Sequence, residues 1–297
     1  GSDRAPAGGD RGRPRLPIDR VFSVSGFGTV VTGTLIDGAL ETGQEVWVQP
    51  QGLKVRIRGL QTHKEKIEEA VPGSRVAVNL SGVDTDQIAR GDVLASGDWL
   101  QGTTLVDVQM RYLPEILWPD LGQFAQRPLR HNTRLKFYTG AAEVMGRVRL
   151  LGQEVLLPEQ VGWVQLELEE SIAMVRGDHY IVRLPSPPTT VGGGIVVDPH
   201  PGRKHRRFRS TVVERLQTLA EGSPASILLQ TLEREGVVAV DDLLEVGGLG
   251  DVPADALREL LDEGRVLVLE VGPPRSREMS DALGDGEALV VSRSWWS

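Results

Sequence analysis

The sequence contains no cysteine, which excludes disulfides, thiol nucleophiles and cysteine-ligated zinc and makes a reducing, cytoplasmic compartment the default expectation. It contains no Gly-Lys dipeptide, so the phosphate loop G-x-x-x-x-G-K-[ST] is absent. No apolar run approaches the roughly 18–20 residues of a spanning helix, which excludes an integral helical membrane protein. No stretch reads as a secretory signal. The five histidines, His63, His131, His179, His200 and His205, lack any H-E-x-x-H or comparable ligand spacing, so no metal site is expected. No local Ser/His/Asp signature is present. Gly26, Gly28 and Gly33 do not fit G-x-G-x-x-G, and a strand pattern follows them where a dinucleotide fold needs a helix. Nothing in these residues supports catalysis by this chain alone.

What is present is an ordinary globular composition: 297 residues, 40% hydrophobic and 25% charged, enough for two or three domains. The net charge of −8 is unevenly spread. Residues 210–297 hold 7 Lys/Arg against 17 Asp/Glu, whereas the rest is balanced at 26 against 24. Any nucleic-acid contact therefore belongs to the first two thirds. Gly1 rather than Met opens the sequence, and Trp295-Trp296 near its end is unusual for a terminus, so a segment of a longer protein is expected.

Residues 1–14 are Gly/Pro/Asp/Arg-rich and read as a disordered leader. Residues 15–101 read as short strands. Leu53, Val55 and Ile57 alternate with Lys54, Arg56 and Arg58; Val76, Val78 and Leu80 alternate with Ala77 and Asn79. Asp37-Gly38 and Thr42-Gly43 supply turns. This pattern predicts a small closed β-barrel. Residues 102–201 repeat the character: Val106, Val108 and Met110; Val148 and Leu150; Val164, Leu166 and Leu168 all alternate with polar residues. That second barrel ends in a strand holding Gly192, Gly193 and Gly194, which marks a bulge or a close backbone approach. Residues 202–209, G-R-K-H-R-R-F-R, form a basic linker. In residues 210–297 the period changes. Val212, Leu216 and Leu219 predict a helix, and Ser223-Pro224 opens a second that runs to about Glu235. Leu243, Leu244 and Val246 predict a short helix, and Leu257–Leu261 another, closed by Gly264. Strands over 266–271 and 288–291 complete a winged-helix order. The expected fold is mainly β: two antiparallel barrels, then a C-terminal α+β winged-helix domain.

Four stretches resemble the translational GTPase elongation factors, most closely the selenocysteine-specific ones. Gly28–Val46, G-T-V-V-T-G-T-L-I-D-G-A-L-E-T-G-Q-E-V, resembles the superfamily's second-domain barrel signature. Arg15–Phe22, R-L-P-I-D-R-V-F, and Ile88–Leu94, I-A-R-G-D-V-L, are similar to the selenocysteine-specific branch. Thr189–Asp198, T-T-V-G-G-G-I-V-V-D, resembles the closing strand of the third domain. The resemblance covers residues 15–297. It implies two elongation-factor barrels and the first of several winged helices. It implies partners too: selenocysteinyl-tRNA, the ribosome, and a messenger hairpin read by later winged helices. GTP and Mg are implied for a GTPase domain, and no residue here inherits them. A cytoplasmic monomer without membrane contact is expected.

The resemblance also places Asp19, Arg20 and Arg90 in a pocket for the aminoacyl end of the tRNA. A selenol ionises more readily than a thiol, so guanidiniums there give charge-assisted hydrogen bonds to an anion. A neutral seryl hydroxyl leaves them unsatisfied. The bland alternative is a surface ion pair at a strand start. Gly192, Gly193 and Gly194 stand either as barrel geometry or as a close approach to tRNA phosphates. Arg203, Lys204, Arg206 and Arg207 stand either as a solvated helix start or as phosphate contacts. The expected recognition helix carries Asp255, Glu259, Asp262 and Glu263 against Arg258, which suits a spacer or protein-docking module rather than an RNA reader. Other readings of the whole chain are a general aminoacyl-tRNA elongation factor, a non-enzymatic interaction scaffold, and, disfavoured by the acidic last domain, a DNA-binding regulator.

Overall fold

The computed structural model describes residues 13–97, 99–114, 116–118, 123–125, 127–186, 188–240, 243, 253–269 and 288–296. The leader, apart from Arg13 and Pro14, and the expected helix around Leu244 and Val246 lie outside them. The chain divides into two compact units, one up to Ser210 and one from Thr211.

The first unit begins with β1 (Arg15–Val24) and β2 (Gly28–Thr34), joined by a turn in which Gly26 and Gly28 adopt φ +80° and +84°. Such angles are open to glycine at no steric cost. There follow β3 (Leu40–Glu41), β4 (Glu45–Gln49), β5 (Leu53–Thr62), β6 (Glu65–Ile67), β7 (Glu69–Ala70), β8 (Arg75–Ser81) and β9 (Val93–Ala95). The sheet order β4-β9-β1-β2-β8-β5 is closed by pairing of β4 with β5, and β6 extends β5 at one end. The alternation works as the sequence predicts: Val55, Ile57, Val76, Val78 and Leu80 are buried, while Lys54, Arg56 and Arg58 face water. Each such aliphatic side chain contributes roughly 1.5–3 kcal/mol when fully buried.

One position breaks the alternation. In the β1–β2 ladder Ile18 faces Gly33, but Arg20 faces Thr32, so Asp19 is an extra residue bulged out of β1. Leu16 and Ile18 point inward before the bulge, and Val21 packs on the core after it. Arg20 and Phe22 are thereby turned outward. Gly33 fits beside the bulge because a Cβ there would run into the Pro17 carbonyl.

The second barrel uses β10 (Gly102–Tyr112), then β11 (Ile116–Trp118) and β12 (Gln123–Ala125), a separate hairpin. β13 (Leu129–Arg130) pairs with β16 (Val155–Leu156). The closed barrel comprises β10, β17 (Val161–Ala173), β15 (Ala142–Leu151), β14 (Arg134–Thr139), β18 (His179–Arg183) and β19 (Thr190–Asp198). Phe137 stacks on Tyr180 at 5.1 Å in its core. The two barrels touch. Arg15 forms a largely buried ion pair with Asp178 at 3.0 Å, and Val93, Ala95, Leu100 and Ala173 share one apolar cluster.

The second unit, from Thr211, holds most of α1 (Ser210–Glu221), α2 (Pro224–Glu235), β20 (Val238–Ala239), α3 (Pro253–Asp262), β21 (Val266–Leu269), β22 (Leu289–Ser292) and the single turn α4 (Arg293–Trp296). The Ser223 hydroxyl caps α2 by accepting from the Ser226 N–H at 3.2 Å. Gly264, at φ +65°, follows α3. The sheet order is β20-β22-β21, and Leu228, Leu232, Leu257, Leu260 and Val290 fill the core. Helices followed by a short antiparallel sheet is the order that the sequence predicts.

Gly194 gives a direct test of the second barrel's packing. A Cβ there meets the Gln109 carbonyl, which cannot swing away. Gly194→Ala is expected to cost ~1–3 kcal/mol by overpacking. Gly59, with open space at its Cβ position, should tolerate alanine within about 0.5 kcal/mol. Urea unfolding of the two variants checks the contrast.

Candidate nucleic-acid interface

The bulge holds Asp19 at the barrel surface, where it is gripped from two strands. Arg75, first residue of β8, donates from both terminal nitrogens, to Oδ2 at 2.6 Å and to Oδ1 at 3.1 Å. The Thr32 hydroxyl of β2 donates to Oδ1 at 2.7 Å. The Arg75 hydrogen bonds hold the Asp19 carboxyl below its usual range; partial burial opposes them, while Thr32 and the charges of Arg75 and Arg20 assist. Arg20 is exposed beside this pair, and among the described residues no hydrogen bond or ion pair holds its guanidinium. The result is a neutralised Asp–Arg fork with a further cation next to it.

Arg90 arrives on a different device. The Gly91 N–H donates to the Ile18 carbonyl at 2.9 Å, and the Ile18 N–H to the Asp92 carbonyl at 2.8 Å. The Asp92 carboxylate accepts from the Ala89 N–H at 2.7 Å and from Gln51 Nε2 at 2.9 Å. Burial pushes the Asp92 carboxyl up despite those two bonds. This clips the turn beside β1, one residue short of Asp19. The Arg90 side chain itself runs to the β14–β15 turn, where its Nε donates to the Ala141 carbonyl at 3.4 Å. Its charge adds to the depression of Glu143, whose main partner is Lys136. Around Asp19 the structure thus gathers Arg20, Thr32 and Arg75, and it directs Arg90 toward the second barrel. Arg75 escapes sequence reasoning because a lone arginine at a strand start carries no local signal; only the β2–β8 pairing brings it across.

Gly192, Gly193 and Gly194 lie in β19 between β10 and β18. A Cβ on Gly192 would sit 2.7 Å from the Arg111 carbonyl, and one on Gly193 2.6 Å from that of Tyr180. Neighbouring strands therefore leave no room for a Cβ at any of the three.

The basic run 202–209 is fastened to the second barrel. Lys204 pairs with Glu167 at 2.6 Å. Arg207 donates to the carbonyls of Leu150, Gln153 and Glu154 and lies 4.7 Å from the Phe208 ring. His205 is buried: its Nε2 meets Asp107 Oδ2 at 2.6 Å, and its N–H donates to Gln165 Oε1 at 3.0 Å. Gln165 Nε2 in turn donates to Asp107 Oδ1 at 2.9 Å and to the Arg203 carbonyl at 3.2 Å. Burial raises the Asp107 carboxyl, with His205 opposing the shift and Asp198 adding to it. Arg203 and Arg206 keep exposed side chains.

Two closed barrels, the first opening on this glycine hairpin, thus pack against each other. Residues 28–95 match the model for elongation factor Tu domain 2, and residues 121–203 that for the selenocysteine-specific elongation factor β-barrel domain. By these matches the first barrel is similar to an elongation factor Tu domain 2 and the second to the β-barrel domain of selenocysteine-specific elongation factors. It is 38% identical over 222 residues to the selenocysteine-specific elongation factor of Desulfomicrobium baculatum, covering 75% of this chain and 33% of that protein. It is 29% identical over 228 residues to that of Haemophilus influenzae, covering 76% and 34%, and 29% over 251 residues to that of Escherichia coli, covering 84% and 37%. The chain spans about a third of the length of these relatives.

Two measurements test this chemistry. The depressed Asp19 carboxyl keeps the Arg75 fork intact above the usual carboxylate range, near pH 4, and loses it only as pH falls through the lowered value. Carboxyl-carbon NMR should give Asp19 a midpoint below that of an ordinary aspartate, and Arg75→Ala should return it toward that value. His205→Ala leaves the buried Asp107 carboxyl short of one hydrogen-bond partner and should cost ~1–3 kcal/mol in urea unfolding; Arg206→Ala should stay within about 0.5 kcal/mol.

Proposed function

We propose that this chain is the tRNA-binding part of an elongation factor that delivers selenocysteinyl-tRNA to the ribosome at recoded UGA codons. The observation that carries the reading is the fork of Arg75 on bulged Asp19 with Arg20 beside it. Asp19 and Arg75 neutralise and orient each other, so Arg20 supplies the net positive charge. An ionised selenol gains a charge-assisted hydrogen bond there. A seryl hydroxyl is neutral and leaves the guanidinium less well satisfied than water does. In this reading Arg90, whose turn is clipped beside β1, meets the aminoacyl end by leaving the Ala141 carbonyl.

In this reading the tRNA backbone meets the second barrel at Gly192, Gly193 and Gly194 and along Arg203 and Arg206, while Lys204 and Arg207 hold the segment on the barrel. The C-terminal unit serves as a winged-helix spacer or protein-docking module; on α3, Asp255 already occupies Arg258 at 2.8 Å. GTP and Mg belong to a GTPase domain of the whole factor, which acts in the cytoplasm as a monomer.

The test uses a full-length factor carrying this segment. Arg20→Ala and Arg75→Ala should each abolish the preference for selenocysteinyl- over seryl-tRNA in a binding titration, and Arg75→Lys should restore little of it, since lysine cannot form the fork. Unchanged discrimination in both alanine variants would sink the pocket.

A further inference from the structure

The backbone of the Arg90 turn is fixed, but the Arg90 side chain is not. Gly91 holds the turn to β1 through Ile18, the residue before Asp19, and sits against Ala142 with no room for a Cβ. The guanidinium is exposed, and among the described residues its one hydrogen bond is the 3.4 Å contact to the Ala141 carbonyl. That is a long hydrogen bond. The guanidinium also stands in the field of Glu143 on β15. The hydrogen bond from Lys136 holds the Glu143 carboxyl below its usual range, with smaller help from Tyr138 and from the charge of Arg90. On the first barrel the balance is the reverse. Asp19 is already committed to Arg75, and Arg20 has no carboxylate of its own. Two uncompensated guanidiniums beside one bulge repel each other. In the absence of an anion, Arg90 is therefore better placed against the second barrel than beside Arg20.

We propose that Arg90 is a recruited arginine of the aminoacyl pocket, and that Glu143 of the second barrel is the positioning residue that holds it back until an anion enters. A selenolate beside Arg20 cancels the repulsion there. It offers Arg90 a charge-assisted hydrogen bond, stronger than the one given up at Ala141. A seryl hydroxyl brings no charge, so Arg90 stays where it is and only Arg20 meets the ligand. Discrimination between two aminoacyl groups on one tRNA then includes a side-chain movement that only the ionised group induces. The cost of leaving Glu143 is subtracted from selenocysteinyl binding alone. The inference rests on the pocket reading above and adds the residue that sets where Arg90 rests.

The experiment measures the ratio of selenocysteinyl- to seryl-tRNA affinity in a full-length factor carrying this segment, so that effects on the tRNA body cancel. Glu143 is exposed, and Glu143→Gln keeps its size while removing its charge. This variant should raise the ratio about two- to fivefold, the range of an exposed ion pair. Lys136→Gln leaves the Glu143 carboxylate to Arg90 and should lower the ratio by a similar factor. In an Arg90→Ala background neither change should move it, whereas a merely structural role at the β14–β15 turn acts with or without Arg90. An unchanged or lowered ratio in Glu143→Gln overturns the proposal, and so does an equal rise in the Arg90→Ala background. Failure of the pocket shows separately, as full discrimination in Arg20→Ala. Discrimination lost in Arg20→Ala but unmoved in Glu143→Gln overturns the role of Glu143 alone.

Discussion

One extra residue in the first strand decides which side chains this protein offers to its surroundings. Leu16 and Ile18 point into the barrel, and strict alternation would send Arg20 in after them. A buried, unpaired guanidinium is too costly to keep. The bulge at Asp19 shifts the count by one, so Val21 packs on the core and Arg20 emerges. Asp19 is left outside the ladder, free to accept from Thr32 and from the fork of Arg75. A backbone irregularity thus builds the candidate site, and the hydrophobic register of one strand enforces it.

The second constraint is the closeness of the two barrels. Gly91, at φ +102°, has no room for a Cβ against Ala142, and Gly140 packs on Pro17. The Arg90 turn is therefore fixed twice, by β1 of its own barrel and by the β14–β15 turn of the other. Arg15–Asp178 and the Val93–Leu100–Ala173 cluster reinforce the same seam. The Arg90 side chain adds a hydrogen bond across that seam, to the Ala141 carbonyl, beside the Arg15–Asp178 pair.

Much of this architecture is legible in the sequence, for a physical reason. A half-buried strand must alternate, so Leu53–Ile57, Val76–Leu80 and Val164–Leu168 announce themselves, as Ser223-Pro224 announces a helix start. The candidate site is only half legible. Asp19-Arg20 can be picked out, but Arg75 lies 56 residues from Asp19 and joins it only through strand order. Arg90 can be picked out too, yet nothing local tells that its side chain leaves toward Ala141. The Asp107–Gln165–His205 network is invisible, because Asp107 and Gln165 look like ordinary outward-facing polar residues until the 203–207 segment covers them.

That covering segment also shows why a count of basic residues misjudges a binding surface. In the sequence Arg203, Lys204, Arg206 and Arg207 are equivalent charges. In the fold Lys204 is neutralised by Glu167, and Arg207 is consumed by three backbone carbonyls. Arg203 and Arg206 keep theirs because alternating anchors, His205 and Arg207, hold the backbone between them. The free charge of this surface is set by which carboxylates and carbonyls the fold has already committed, and that is a property of packing.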